Sequence, residues 1–338
     1  MIQNINFQNT TASHHLKTNL TKPYNPGEFG KVAVLFGGRS AERSVSLESG
    51  QACLEALLRQ GVDAHPVDPD EYLSKTLEAG QYDRAFIMLH GKEGEDGVIQ
   101  AVLEMIGIPY TGSRVAASAL AMDKARSKLV MHALDIPTPI FGVANSISEA
   151  QYLVETMGLP VSVKPISEGS SLGVSCVTDL KQLPNAFTRA AQYGGVIVEK
   201  WVEGTEFFVS ILGDEVLPAV SVKPASGFYD FNAKYASDQT EYFCPSGLSP
   251  EKEQELKDLS LRAFTALGCE GWGRLDAIQD KQQNFWFLEA NTVPGMTSHS
   301  LVPMSAKAVG MSFDNLVVAI LATSLIQTQV SVGKLAQI

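Results

Sequence analysis

The apolar and polar positions change rhythm several times along the chain. From Lys31 a short β-branched run, KVAVLFGG, ends in two glycines; a polar loop and a segment of helical spacing over 46–60 follow. This is the order strand, glycine turn, helix. A second such unit follows, with a strand over 64–67, a buried strand over 84–89 and a helix over 98–106. Alternating β and α elements predict a parallel sheet, whose ligands gather at the carboxyl ends of the strands. Gly37-Gly38 and His90-Gly91 both fall at such ends. Helical spacing over 116–134 stops before Pro137-Thr138-Pro139. Next come VSVKP, a glycine and serine loop over 167–173, GVSCV and VIVEKWV, which together read as an antiparallel sheet carrying a flexible loop. The last block sets strands over 206–212, 215–222, 273–278 and 285–288 among helices over 250–267 and 314–326.

Composition narrows the class. The chain has 338 residues, 45% of them hydrophobic and 19% charged, enough for more than one core at ~150 residues per domain. A net charge of −11 is the wrong sign for a partner of nucleic acid or of an anionic membrane. Cys53, Cys176, Cys244 and Cys269 form no CxxC pair, so neither a zinc site nor a disulfide framework is expected, and a reducing, cytoplasmic setting is. The apolar run over 316–326 is shorter than the ~18 residues of a spanning helix and reads as a core helix. Residues 1–30, rich in Asn and Thr and without the pattern of a signal peptide, read as a mobile arm.

The segment GRLDAIQD-KQQN-FWFLEAN carries the chemistry. Both arms alternate, and Lys281 to Asn284 can form the turn of a β-hairpin. Pairing Asp280 with Phe285 sets Ile278 opposite Phe287, Asp276 opposite Glu289 and Arg274 opposite Asn291. Like charges directly opposite on one face are destabilising, so such a pair implies a shared proton, a screening arginine or a bound cation. With the Asn291 oxygen, Asp276 and Glu289 make a hard-oxygen set of the kind magnesium takes. Arg274 on the same face suits a transferring phosphoryl group and the oxyanion that follows.

On LFGGRSAERSVSLESG, MLHGKEGEDGVIQ, YTGSRVAASALAMDKARSK, VKPISEGSSLGVS, VEKWVEGTEF, FYDFNAKYASDQTEYFCP, GWGRLDAIQD and LEANTVPGMTSHSLVP, in that order, the chain resembles the D-alanine–D-alanine ligases of the ATP-grasp superfamily. The resemblance implies an α/β fold, α+β in part: a parallel-sheet domain over 31–121, a central subdomain over 122–211, a C-terminal subdomain over 212–326 and a tail over 327–338. It implies joining of two D-alanines through an acyl phosphate, with ATP as co-substrate and two Mg²⁺ or Mn²⁺ ions on Asp276, Glu289 and Asn291, in a protein that supplies peptidoglycan precursors. Relatives are typically homodimers.

Residue by residue, the resemblance gives Glu42 the ammonium of the first D-alanine, with His90 beside it. Lys124 and Lys164 meet the ATP phosphates; Glu199, Lys200, Trp201 and Val202 form the adenine connector; Glu206 holds the ribose; Phe228 belongs to the ATP set. Ser170 bonds Glu42 and Tyr235, tying the 167–173 loop to the 228–245 loop so that closure excludes water. Lys234 and Arg274 meet the γ-phosphoryl group and the oxyanion. Ser300 and the backbone of Leu301 take the second carboxylate. Tyr235, rather than Phe, goes with D-alanine and not D-lactate as acceptor. Two other readings stay open here: an ATP-grasp ligase for another acid pair, and a nucleotide-binding protein without chemistry. A dinucleotide-binding dehydrogenase is disfavoured, since Gly37-Gly38 lacks the further spaced glycines.

Overall fold

The computed structural model describes residues 24–70, 72–223 and 240–335, by backbone alone beyond 325. β1 (Lys31–Leu35), α1 (Arg43–Arg59), β2 (Asp63–Val67), α2 (Leu73–Gly80), β3 (Arg84–Ile87) and α3 (Val98–Met105) build the first unit, a parallel sheet in the order β2-β1-β3. The first turn of α1 pins the strand ends. Ser46 Oγ accepts from Gly37 N at 2.9 Å and donates to Met88 O at 2.7 Å, so the loops after β1 and β3 share one anchor.

The single helix expected over 116–134 is two, α4 (Val115–Met122) and α5 (Lys124–Ala133). Asp123 breaks it: its backbone is extended, and its carboxylate caps α5 by accepting from Arg126 N at 2.8 Å. The break puts Lys124 at the first turn of α5, buried instead of on a solvated face.

β4 (Phe141–Ala144), α6 (Ile147–Met157), β5 (Val161–Pro165), β6 (Ser175–Val177), α7 (Leu183–Ala191) and β7 (Val196–Lys200) form an antiparallel sheet in the order β4-β7-β5-β6. Valines of β5, β6 and β7 pack on Ala150, Val154, Ala186 and Ala190 of the two helices.

The third unit holds β8 (Gly204–Leu212), β9 (Glu215–Val216), β10 (Val220–Lys223), β11 (Glu241–Phe243), α8 (Pro250–Ala266), β12 (Trp272–Asp280) and β13 (Phe285–Asn291). Its antiparallel path runs β11-β10-β8-β12-β13, with β9 on β8. The change of sheet falls between Lys200 and Gly204, and the division expected at 211/212 lies inside β8. The strand expected over 215–222 is split around Pro218, which has no N–H for the ladder. Closing the chain, α9 (Leu301–Ala308) leads into α10 (Phe313–Leu335). Leu316, Val317, Ile320 and Leu321 of α10 are fully buried in the same core as β1 and β3, so the last helix packs back on the first unit. Among the described residues no single helix is long and apolar enough to cross a membrane.

The β12/β13 hairpin pairs Arg274 with Asn291 and Asp276 with Glu289, as the alternation predicts. Beyond Asp276 a bulge shifts the register, and Ala277 faces Phe287, Ile278 faces Trp286 and Gln279 faces Phe285. The expected pairs Ile278 with Phe287 and Asp280 with Phe285 are therefore one position out, because Leu288 is an extra residue on its strand. Phe285 and Phe287 both stay in the core.

Candidate active site

Asp276 and Glu289 sit side by side on β12 and β13. Each is held by a cation of the chain. Arg274 grips Asp276 with two parallel bonds, Nε to Oδ1 at 2.6 Å and Nη2 to Oδ2 at 2.8 Å, while its guanidinium lies 5.3 Å from the centre of the Phe208 ring. Lys124 Nζ reaches Glu289 Oε2 at 2.9 Å and donates to Glu168 O at 2.6 Å, so α5 is tied both to the hairpin and to the loop over 167–173. Burial pulls the Lys124 ammonium towards neutrality, but Glu289, with Glu95 and Glu42 behind it, holds its pKa above the usual lysine value. Two carboxylates and the neighbouring Asn291 amide supply only hard oxygens, a donor set that suits Mg²⁺ or Mn²⁺. Among the described residues no three His, Cys, Asp or Glu side chains form a metal cluster, and the Asn291 Oδ1 beside the pair accepts from Val293 N at 3.0 Å.

On one side of this pair lies a cavity whose wall includes Glu42, His90, Glu95, Arg274, Asn291, Ser300 and Leu301. Glu42 stands at the start of α1, buried, and its Oε1 accepts from Ser170 Oγ. Gly91 and Gly169 are what bring two loops against that carboxylate. A Cβ on Gly91 would come 2.7 Å from Glu42 Oε2 and one on Gly169 3.0 Å from it, and Gly91 also needs its φ of +68°. Ser170 and Ser171 hold φ of +51° and +59°, a left-handed pair without glycine that costs about 1–2 kcal/mol per residue and turns this loop over Glu42. Ser40 Oγ donates to His90 O at 2.7 Å and accepts from Glu42 N at 3.2 Å, locking the two strand-end loops together. His90 is buried, which pushes its pKa down to about 4, with Arg274 adding to the fall; the ring is neutral at pH 7. Ser300 precedes α9, and its Oγ accepts from Thr297 N at 2.8 Å.

On the other side lies a second cavity between the two antiparallel sheets, lined by Lys164, Glu199, Lys200, Trp201, Val202, Glu206 and Asp276 among others. Its far wall is the connector from β7 to β8. Lys124, Glu168, Gly169, Phe208 and Glu289 belong to both cavities. Glu289 thus stands at the seam between them, with Asp276 beside it facing the second cavity and Arg274, which grips Asp276, facing the first.

The structure brings together in the first cavity Glu42, His90, Ser170, Arg274, Asn291, Ser300 and Leu301, and in the second Lys164, Glu199, Lys200, Trp201, Val202, Glu206 and Asp276, with Lys124 and Glu289 between. Phe228, Lys234 and Tyr235 lie outside the described residues.

Two charged residues that the sequence does not single out also belong here. Glu95, buried, accepts from Gly91 N at 2.6 Å; burial first and Glu42 next raise its pKa to about 8. Lys128, fully buried on α5, lies 3.1 Å from Glu199 Oε2. A signal for Lys128 exists, since Lys124, Lys128 and Met131 follow i, i+4, i+7 and share the buried face of α5. Glu95 has no such local signal.

Comparison with known proteins agrees with this geometry. Residues 131–322 match the family described as D-ala D-ala ligase C-terminus, and 69–113 the one described as D-ala D-ala ligase N-terminus. A D-alanine–D-alanine ligase of Acinetobacter baumannii is 51% identical over 304 residues, 89% of this chain and 98% of that protein. The crystal structure of D-alanine–D-alanine ligase from Bacillus anthracis complexed with ATP matches with a TM-score of 0.76 at 31% identity, covering 89% of this chain and 99% of that one. The VanG D-Ala:D-Ser ligase from Enterococcus faecalis matches at 0.75 and 29%, covering 87% and 99%. By its family matches, and by its identity to curated ligases over most of its length, the chain belongs to the D-alanine–D-alanine ligase family.

Proposed function

We propose that this protein joins two D-alanines to D-alanyl-D-alanine, converting ATP to ADP and phosphate, as a step in making peptidoglycan precursors. The observation that carries the reading is the seam: one cavity with a buried carboxylate for an ammonium, one with lysines and a connector for a nucleotide, and Asp276 and Glu289 where they meet. In the first half-reaction the carboxylate oxygen of one D-alanine attacks the γ-phosphorus, and the bond from that phosphorus to the bridging oxygen breaks. ADP leaves with the bridging oxygen while the D-alanine becomes an acyl phosphate. In the second the amine of the other D-alanine attacks the acyl carbon, and phosphate leaves with the former acid oxygen.

Glu42 binds the first ammonium, its carboxylate aimed by Ser170 and by the two glycines that let the loops close on it. Neutral His90 lines the same pocket without adding charge. Ser300 and the backbone of Leu301, at the start of α9, receive the second carboxylate, where the amide dipoles favour an anion. Arg274 stabilises the tetrahedral oxyanion. Lys124 and Lys164 meet the phosphates, Glu199, Lys200, Trp201 and Val202 the adenine, and Glu206 the ribose. Phe228, Lys234 and Tyr235 are assigned to the nucleotide, the γ-phosphoryl group and Ser170 on resemblance alone. Asp276, Glu289 and Asn291 would hold two Mg²⁺ or Mn²⁺ ions, which supply Lewis-acid charge to the phosphoryl group. The ATP requirement and the reduced cysteines favour the cytoplasm, and the resemblance favours a homodimer.

The test is phosphate release from ATP and Mg²⁺ by purified protein with D-alanine, L-alanine, D-serine, D-lactate or no acceptor, with mass analysis of products. D-alanine-dependent release with the dipeptide as product is expected. Release that depends on D-serine or D-lactate as acceptor moves the protein to another ligase specificity, and ATP binding with no release under any acceptor contradicts catalysis.

A further inference from the structure

Behind the nucleotide cavity two ammonium groups share one carboxylate oxygen. Lys128 Nζ and Lys164 Nζ each lie 3.1 Å from Glu199 Oε2. Lys164 and Glu199 line the cavity; Lys128 does not. Its side chain has no exposed surface, and its other hydrogen bonds go to Thr138 Oγ1 at 2.8 Å and to Phe287 O at 3.2 Å, on the strand that carries Glu289. A lysine sealed behind a cavity cannot touch a ligand there. A buried charge is also costly unless it is paired, so its effect runs through the partner it pairs with.

That effect is an account of charge. Burial lowers the Lys128 pKa to about 8, with Glu199 opposing the fall, so at pH 7 it is still protonated. The three groups then sum to one positive charge, whereas Glu199 with Lys164 alone would sum to none. Burial of Glu199 works against its ionisation, but Lys128 and Lys164 together hold its pKa below the usual value, so it is a carboxylate. Of the other charged groups of the wall, Lys124 is matched by Glu289, Asp276 by Arg274 behind it and Glu203 by Lys281. Lys200, at the connector, donates to the carbonyls of Gly158 and Leu159, and Glu168 and Glu206 complete the lining.

We propose that Lys128 is a positioning residue of the nucleotide cavity: it neutralises Glu199 from beneath and so leaves the Lys164 ammonium with a net positive charge to present to a polyphosphate. This rests on reading that cavity as the ATP site. The buried lysine then selects for the phosphate tail without contacting it and leaves recognition of the base and sugar to the connector.

The test compares ATP with adenosine by titration calorimetry, without amino acid, on folded wild type, Lys128→Met and the double variant Lys128→Met/Glu199→Gln, with melting curves as the check of folding. In Lys128→Met the triad loses its positive charge, and ATP affinity falls roughly tenfold or more, as one charge acting at effective dielectric ~20 requires. Adenosine affinity changes by less than about twofold. In the double variant Lys164 regains its uncompensated charge, and the ratio of ATP to adenosine affinity returns to within about threefold of wild type. Equal losses for ATP and adenosine would reduce Lys128 to a structural part and overturn the proposal, as would an unchanged ATP affinity or a double variant no better than the single one. If Lys128→Met does not fold, the double variant decides alone: a near wild-type ratio supports the proposal and a collapsed ratio overturns it. Failure of wild type to bind ATP would instead overturn the reading of the cavity itself.

Discussion

The two cavities share a wall and are made of opposite materials. The Glu42 cavity sets among its lining several charged side chains whose partners are fixed by the fold: Glu42 with Ser170, Arg274 with Asp276, Glu95 with the Gly91 amide. The nucleotide cavity is faced by a connector in which Lys200, Trp201 and Val202 are only half-buried and Glu203 is exposed, with its charges kept at the inner end. A small zwitterion offers little apolar surface, so it is selected by charges placed to a few tenths of an ångström. A large nucleotide can be held by area and backbone at the base and by net charge at the phosphates. The seam is where both schemes must agree, and there each carboxylate is held by a cation of the chain, Asp276 by Arg274 and Glu289 by Lys124.

This contrast can be broken in three places. The largest effect belongs to the seam. Asp276→Asn or Glu289→Gln should leave a folded protein that still binds adenosine, while kcat falls about a thousandfold or more, because charge on the phosphoryl group loses its stabilisation. Steady-state turnover beside a melting curve checks this, and full activity would remove these carboxylates from the chemistry. Next comes the buried side alone. Glu42→Gln should raise the D-alanine KM by roughly a hundredfold with ATP affinity unchanged, whereas a matching loss of ATP affinity would mean that the cavities do not divide the substrates as described.

The smallest effect concerns stability. His90 is neutral in the folded protein down to about pH 4, whereas an unfolded histidine takes its proton near 6.5. Between those values the unfolded state binds more protons, so stability falls as pH drops from 6.5 to 4, by roughly 3 kcal/mol at most. His90→Gln lacks that term. The gap between melting temperatures of wild type and variant should narrow across this window as wild type loses its lead, and a constant gap would show that His90 is not held neutral.

Much of the fold was legible because it rests on local pattern. The parallel unit, the antiparallel sheets and the register of Asp276 on Glu289 follow from alternation and from glycine positions. What was hidden depends on contacts distant in sequence. The bulge at Leu288 changes the phase of burial along β13, from Phe285 and Phe287 to Ala290, and nothing in the alternation of the sequence marks it. The break at Asp123 is a capping event inside a continuous helical pattern, visible only once Lys124 has somewhere to point. Glu95 looks like an ordinary surface charge in sequence, and Lys128 is marked only by its spacing from Lys124 and Met131. Their charged neighbours, Glu42 for the one and Glu199 of β7 for the other, meet them only in the folded chain.

The most direct measurement is a crystal structure with Mg²⁺, a non-hydrolysable ATP analogue and D-alanine. The account predicts adenine against 199–202, metal on Asp276 and Glu289, and the D-alanine ammonium on Glu42 across the seam from the γ-phosphate. A nucleotide seated in the Glu42 cavity, or metal bound away from the β12/β13 pair, would contradict it.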